Sequence, residues 1–382
     1  QDDQWWDQVV WVVAAHRHGL LTGDPDFVTW AEGVSRRSLG IAHAGRYVAS
    51  RGLYRGPAVM ADGISGYPDD VVEPGVESSF VRDHPRAHEV FSLSTNLVHA
   101  AAWAALGAMA EQLGGAGAPE RARAAELRAA VRRQFRTPEG YGYLLVPGRD
   151  GSPDRLDHGQ DALGLALVLL TGLEDGPAAR LLARSVHREP YGVVALWPAV
   201  QRFTAEHPGR HNVSVWPWIS AVWALAVSRT RDEEALAHEF TALLDLTDAA
   251  GAEFPEVQNA TTGAPDGGWQ RDQHWVGDQV PGIGRPWRSE PDQTWSATGF
   301  LAVVLHTLLG LHPEPDGLRL TPWLPPGVGR LRLTGVRYGA VALDVEVNGV
   351  GGRLVALSVD GRALDPGTTL LPRATPDAAP SA

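Results

Sequence analysis

Cysteine is absent from this 382-residue sequence, and that absence limits its chemistry. Without thiols the chain forms no disulfide, binds no zinc through thiolates and uses no cysteine nucleophile. Long apolar runs are absent as well, because no segment approaches the roughly 20 residues that cross a bilayer. The first residues, "QDDQWWDQVV", lack the pattern of a signal peptide. They predict the start of a helix and suggest a chain cut from something longer.

An excess of positive charge is also missing. The chain has 45 acidic against 33 basic residues and a formal net charge of −12, and its basic residues are scattered. Nucleic-acid binding requires a concentrated basic surface. Nucleic acids and anionic membranes are therefore disfavoured as partners. With 44% hydrophobic residues, the chain is long enough for one large domain and a small one.

Tryptophan, in contrast, is abundant, with 14 residues against 8 phenylalanines and 7 tyrosines. Many tryptophans pack in protein cores, but a large group here lies beside Gly, Pro, Asp or His in predicted loops and at helix ends. Flat indole faces next to polar groups suit the apolar faces of sugar rings. We therefore expect a carbohydrate site. The tryptophans concerned are Trp5, Trp6, Trp216, Trp218, Trp269, Trp275, Trp287 and Trp295.

Helical periodicity extends to about residue 311 and divides into nine segments. Eight of them form hairpins in which an apolar helix is followed by a more polar one. An example is "STNLVHAAAWAALGAMAEQLGG" with the Arg-rich "APERARAAELRAAVRRQF". In a toroid of helices, apolar members form the inner ring and polar members the outer ring. The pattern therefore predicts an all-α toroid over residues 1–311.

The sequence pattern changes after residue 311. Residues 312–371 alternate apolar and polar residues with Gly and Asn-Gly punctuation, which predicts a small C-terminal module of antiparallel β-strands. The tail, residues 372–382, is rich in Pro, Ala and Ser and is predicted to be disordered.

Three segments between the predicted helices are long: 41–91, 188–210 and 252–292. Structureless loops beyond roughly 15 residues are usually functional. Because these three follow or separate hairpins, we expect them to open on one rim of the toroid and to form a pocket there.

Two of these loops contain candidate catalytic acids. In "GPAVMADGISGYPDD", Asp62 precedes a bulky Tyr-Pro pair, and a partly apolar pocket would raise its pKa and allow it to donate a proton. Asp-Gly is also an ordinary turn, and Asp69 and Asp70 compete for the role. The third loop has "EFPEVQNATTG", neither helical nor strand-like, where Glu253 and Glu256 are candidates for a base that activates water.

Several motifs, taken in order, resemble the six-hairpin (α/α)6-toroid glycosidases, in particular the family of processing α-glucosidase I and its bacterial relatives. Trehalases and glucoamylases are more distant relatives of this family. "DDQWW" resembles a Trp-Asp-x-x-Phe sugar-binding motif, and "HNVSVWPWISAVWALA" is similar to an Arg/His-Gly-x-x-Trp-Pro segment. "DQTWSATGFLAVVLHTLLGL" resembles the last toroid helix. Since each hairpin has two helices, six hairpins have twelve, and the resemblance implies that N-terminal helices are missing here.

The resemblance also implies an acid and a base. The family's base motif is a Glu in a short aromatic segment followed by a polar stretch that ends in Thr-Gly, which favours Glu256 over Glu253. The family's acid follows Ser-Gly-x, and an ungapped match puts Ser65 in its place. Either Asp62 has taken over through a shifted loop, which we favour, or the acid comes from Asp69 or Glu89.

The activity implied is that of an inverting, exo-acting glycoside hydrolase that removes a terminal, α-glucoside-like sugar. No cofactor or metal is expected. A glycoside phosphorylase, or a sugar-binding protein without catalysis, is the alternative. Substrate-binding residues are expected at Asp3, Trp6, Tyr67, Gln160, His211, Asn212, Trp216, Trp269 and Trp295.

Overall fold

The computed structural model describes residues 6–200, 203–204, 206–251, 253–270 and 283–373. Nine α-helices lie within these ranges, one for each predicted helical segment. They are α1 (Asp7–Thr22), α2 (Pro25–Arg46), α3 (Leu93–Gln112), α4 (Ala118–Phe135), α5 (Ala162–Leu170), α6 (Gly176–Ser185), α7 (Pro217–Ser228), α8 (Glu233–Ala249) and α9 (Thr294–Val303). A π-helical turn, Val304–Leu308, extends α9.

The odd-numbered helices form an inner layer, since α1 packs on α3, α3 on α5, α5 on α7 and α7 on α9. The even-numbered helices α2, α4 and α8 pack outside this layer on α1, α3 and α7. Helix α3 is buried along most of its length because it is Ala-rich and apolar on every side. Its partner α4 buries only one stripe and exposes its arginines. This inner and outer arrangement is consistent with a helical toroid.

The loops contain paired strands of two or three residues that the sequence did not predict. They are β1 (Tyr47–Val48), β2 (Leu53–Tyr54), β3 (Phe91–Ser92), β4 (Arg136–Thr137), β5 (Gly140–Tyr141), β6 (Leu144–Val146), β7 (Arg155–Asp157), β8 (Gln160–Asp161), β9 (Arg188–Glu189), β10 (Gly192–Val193), β11 (Leu196–Trp197), β12 (Ser214–Val215), β13 (Gln258–Asn259), β14 (Trp269–Gln270) and β15 (Arg285–Pro286). One of them, β13, lies in the segment expected to be neither helical nor strand-like.

The strands after α9 are antiparallel, and the first four of them, with four to nine residues, are longer than the loop strands. They are β16 (Leu311–Glu314), β17 (Gly317–Leu320), β18 (Arg330–Tyr338), β19 (Val341–Asn348), β20 (Leu357–Val359), β21 (Arg362–Leu364) and β22 (Leu370–Pro372). They pair in the orders β16-β17-β22, β18-β19 and β20-β21. Leu309, Leu311, Leu318 and Tyr338 form their small core. The Gly339 amide donates to the Leu21 carbonyl, which joins these strands to α1.

None of the described helices is both long and apolar enough to span a bilayer. The N-terminal ends of α7 and α9 meet the third long loop. Trp216 precedes the first turn of α7, and the Ser296 hydroxyl of α9 donates to the Pro255 carbonyl at 2.8 Å. This end of the helices is therefore where the loop acids gather.

Candidate active site

The segment before α7 is held in place by two backbone pairings. Strand β12 pairs with β13, so that Val215 lies opposite Gln258. Further back, Gly209 bridges to Trp269, and the Arg210 amide donates to the Trp269 carbonyl at 3.2 Å. These pairings bring Arg210 and its neighbour His211 against the loop that contains Glu256.

Glu256 is a buried acid, only 4% exposed. Its Oε1 accepts a hydrogen bond from Arg210 Nη2 at 2.7 Å. The Glu256 amide donates to the Glu290 carbonyl at 2.8 Å, which fixes the backbone of the loop. Among the residues that the structure describes, Oε2 has only a long contact of 3.5 Å with the Glu290 amide. Within this part of the chain Arg210 therefore anchors one carboxylate oxygen, and the other is held less closely.

Arg210 lies among aromatic rings. Its guanidinium carbon is 5.7 Å from the centre of the Trp216 ring and 5.3 Å from that of Trp287. A cation over an indole face is attracted by the ring quadrupole. Two tryptophans and an acid therefore stabilise the one guanidinium.

Asp62 occupies the other side of this arrangement. Its Oδ1 is 3.0 Å from Nε2 of His211, and the His211 ring stacks on Trp216 with centroids 4.7 Å apart. Burial pushes the pKa of Asp62 up, but the hydrogen bond from His211 and the charges of His211 and Arg210 outweigh burial and lower that pKa. The raised pKa expected for Asp62 is therefore wrong for the free protein, because the expectation took no account of these two basic neighbours.

Gly63 makes the contact between Asp62 and His211 possible. A Cβ atom at Gly63 would lie 2.7 Å from His211 Cδ2 and 3.0 Å from Nε2. Real Cβ atoms essentially never approach so closely, so a side chain at this position would push the imidazole away. The Asp-Gly pair therefore does more than form a turn.

The two favoured acids thus contact adjacent residues of the chain. Glu256 is paired with Arg210, and Asp62 is paired with His211. Of the other acids considered, Glu253, Asp69 and Asp70 are exposed. Glu89 forms an exposed ion pair with Arg149. Ser65 is buried, and its hydroxyl finds no hydrogen-bond partner among the described residues. Two acids from two different loops therefore contact consecutive residues of a third segment.

Three of the expected sugar-binding residues surround this pair. They are His211 and Trp216, described above, and Trp269, which is half-buried and borders Arg210. Arg210 and Trp287 complete the group, and Arg210 is not among the residues expected from the sequence. The only sequence signal for it is its place directly before the "HNVSVWPW" segment.

Other residues that were expected to bind sugar instead form hydrogen bonds with the protein backbone. The side chain of Asn212 accepts a hydrogen bond from the backbone amide of Val200 through Oδ1 and donates one to the Pro198 carbonyl through Nδ2. Gln160 donates to the His187 and Val194 carbonyls and accepts from the His187 amide. The hydroxyl of Tyr67 is fully buried between Ala58 and Ala61.

The remaining ones lie elsewhere. Trp6 is buried in the helical core. Trp295 is an exposed residue in the first turn of α9. Asp3 lies outside the described residues, as do Trp5 and Trp275. Within the described ranges no group of three or more His, Asp or Glu side chains is arranged to hold a metal ion.

The sequence matches no family model and no curated protein sequence. Its fold, however, resembles solved structures of glycoside hydrolases. A protein described as a sialidase has a TM-score of 0.65 at 16% identity, and the alignment covers 90% of this chain but 31% of that one. The GH63 mannosylglycerate hydrolase of Thermus thermophilus, in complex with glucose, has a TM-score of 0.54 at 18% identity over 76% and 74% of the two chains.

A GH78 family rhamnosidase of a Bacillus species has a TM-score of 0.50 at 14% identity, covering 82% of this chain and 27% of that one. The chain thus spans less than a third of the sialidase and of the rhamnosidase. Likeness at these identities shows the fold, and the fold is one found among glycoside hydrolases.

Proposed function

We propose that this protein is a glycoside hydrolase that releases a terminal sugar, α-glucoside-like, with inversion at the anomeric carbon. The observation that supports this most is the meeting of two loop acids at adjacent residues, Glu256 at Arg210 and Asp62 at His211. The fold it shares with glycoside hydrolases supports the same reaction class. Inversion uses two carboxyl groups on opposite faces of the sugar, one as acid and one as base.

The proposal includes the architecture expected from the sequence. Residues 1–311 would belong to a six-hairpin (α/α)6 catalytic toroid of the kind found in the processing α-glucosidase I family. Residues 312–371 would be a separate β module, and residues 372–382 a tail. The alternating inner and outer helices and the strands that begin at Leu311 support this division.

Glu256 serves as the general base in this proposal. Arg210 holds its Oε1, so that Oε2 can take a proton from water while the water oxygen bonds to the anomeric carbon. The neighbouring indole rings of Trp216 and Trp287 exclude solvent around the guanidinium.

Asp62 serves as the general acid. In the free protein the hydrogen bond with His211 Nε2 at 3.0 Å and the charge of Arg210 lower the pKa of Asp62. When a substrate displaces water from this carboxyl, desolvation favours its neutral form, and Asp62 takes up a proton from solvent as the substrate binds. Asp62 then protonates the glycosidic oxygen as its bond to the anomeric carbon breaks.

The test is Glu256→Gln with Glu253→Gln as matched control, because Glu253 is an exposed acid in the same loop. The probes are aryl α-glucosides and α-D-glucosyl fluoride, with and without phosphate. We expect E256Q to lose about 10²–10⁴-fold in kcat, the usual contribution of a general base, and E253Q to lose less than about twofold. Azide should restore turnover of the fluoride by E256Q, since an anion needs no base.

Proton nuclear magnetic resonance of the first product should show the β anomer. Full activity of E256Q contradicts the assignment of the base. Activity that requires phosphate identifies a phosphorylase instead. Sugar binding without turnover by the unmodified protein identifies a sugar-binding protein without catalysis.

A further inference from the structure

A cavity of about 460 Å³ lies beside the loop that contains Asp62. Its walls include Gly66, Leu196, Trp197, Ala199 and Asn212. Ligand sites commonly enclose about 300–1,000 Å³, so this cavity has the size of a binding site for a small molecule or a short oligosaccharide. Neither Asp62 nor Glu256 lines it.

The cavity nevertheless lies close to the loop of the proposed acid. Gly66 lines it, and a Cβ atom at Gly66 would lie 3.0 Å from both His211 Cβ and Leu196 Cδ1, of which Leu196 also lines the cavity. Asn212 follows His211 directly and lines the cavity as well. A molecule held here is therefore next to the His211–Asp62 pair.

Its position identifies the part of a substrate that it can accept. Gly66, Pro68, Asp69 and Asp70 of the Asp62 loop contribute to its wall, and none of the described residues 253–270 does. In an inverting reaction water attacks from the side of the base, and the leaving group departs on the side of the acid. A cavity that adjoins the acid's loop and none of the described residues of the base's loop is thus placed for the leaving group.

A second cavity, of about 350 Å³, continues from the first. Asp70 and Arg155 line both cavities. Arg155 holds Asp70 through Nε at 3.0 Å and Nη2 at 2.8 Å, and it holds Asp157 through Nη1 at 3.0 Å. The two spaces form one elongated cleft that the Asp70–Arg155 ion pair divides.

The walls of the first cavity are fixed by contacts inside the protein. The side chain of Asn212 forms hydrogen bonds with the backbone of both Pro198 and Val200. The Trp197 ring stacks on His187 with centroids 3.8 Å apart and planes 8° apart. A preformed wall loses little freedom when a ligand binds. Three carboxylates and one guanidinium line this cavity, namely Asp69, Asp70, Asp157 and Arg155.

We propose that this cleft binds the leaving group of the substrate, and that the leaving group is an uncharged oligosaccharide of at least two sugar units. The inference rests on the proposed hydrolase function. The elongated shape provides for a second unit beyond the Asp70–Arg155 pair. The excess of carboxylates in the first cavity disfavours leaving groups that bear a carboxylate.

The experiment compares three α-glucosyl substrates. The first is α-D-glucosyl fluoride, whose leaving group is a single atom, and the others are a disaccharide and a trisaccharide of the linkage that the enzyme cleaves. For the unmodified enzyme we expect kcat/KM to rise at least tenfold from the disaccharide to the trisaccharide. A disaccharide with a uronic acid as its leaving group should be cleaved at least tenfold less efficiently than its neutral counterpart.

Ala199→Trp places an indole in the first cavity, and Ala116→Trp adds one at an exposed loop residue between α3 and α4 as control. We expect A199W to lower the ratio of kcat/KM for the trisaccharide to kcat/KM for the fluoride at least tenfold, and A116W to leave this ratio within twofold. If A199W does not fold, the length series on the unmodified enzyme decides alone.

Hydrolysis of all substrates with no dependence on leaving-group length, or an unchanged ratio in folded A199W, overturns the inference while the hydrolase function stands. Failure of the unmodified enzyme to hydrolyse even the fluoride contradicts the hydrolase function itself.

Discussion

Replacing His211 by asparagine tests whether this imidazole sets the protonation of Asp62. Asparagine is too short to place a donor where Nε2 lies, so the 3.0 Å bond to Asp62 Oδ1 is lost. A hydrogen bond to a charged group contributes about 1.5–3 kcal/mol, and about 1.4 kcal/mol corresponds to one pKa unit. The Asp62 side chain is 36% exposed, and solvent screens such a group. We therefore expect the loss to lie near the low end of this range, about 1.5 kcal/mol, and the pKa of Asp62 to rise.

The direction follows from what remains after the substitution. Burial raises the pKa of Asp62, while His211 and Arg210 lower it. Without His211, the charge of Arg210 and one backbone hydrogen bond are what still lowers the pKa of Asp62 against the effect of burial. Because a general acid must be protonated, a higher pKa extends activity to higher pH. The alkaline limb of the kcat/KM profile should therefore move to higher pH.

The assay has two parts. Carbon-13 nuclear magnetic resonance follows the carboxyl of Asp62 without relying on turnover, and the pH profile of kcat/KM follows the same group in the reaction. His43→Asn is the control, since it removes a histidine that stacks on Tyr47 at 4.4 Å in α2. A pKa that stays constant or falls in H211N refutes the proposal that His211 lowers it in the free protein.

Two further substitutions test the surroundings of the site. Burial raises the pKa of Asp161 to about 6, so the folded protein binds this proton more tightly than the unfolded chain, and stability falls as pH rises from about 4 to 6. Asp161→Asn should remove that pH dependence and raise the free energy of unfolding at pH 7 by up to roughly 3 kcal/mol. Urea unfolding across pH 4–7 measures this change. A pH dependence that persists in the variant argues against the assignment to Asp161. Gly63→Ala should destabilise the protein by about 1–3 kcal/mol through its clash with His211, whereas Gly40→Ala, with nothing within 4 Å, should stabilise α2 by about 0.5–1 kcal/mol. Equal unfolding midpoints for the two alanine variants would contradict the clash.

The helices were predictable because they repeat one pattern over many residues. All nine segments with helical period are α-helices. Helix α2 continues past Gly40 to Arg46, since a single glycine costs a helix only about 1 kcal/mol. The short loop strands had no such signal, because a two-residue ladder has no period to detect. Pairings such as β12 with β13 depend on the tertiary fold.

The candidate site was predictable only in part for the same reason. Glu256 and Asp62 were proposed from local motifs, and each lies beside a basic residue distant in sequence. Arg210 is 46 residues from Glu256, and His211 is 149 residues from Asp62. Contacts at such separations leave no spacing to recognise. The lowered pKa of Asp62 could not be anticipated, since the local sequence shows burial but not the charges that oppose it.

Arg210 explains how two acids can occupy one site. A carboxylate as buried as Glu256 would be costly without a partner. Arg210 provides that partner, and its own desolvation is offset by the two indole faces. Because His211 is its neighbour in the chain, the residue that holds Glu256 and the residue that binds Asp62 share one peptide bond. Any displacement of that peptide therefore moves both contacts together, and Asp62 and Glu256 are coupled through the backbone as well as through charge.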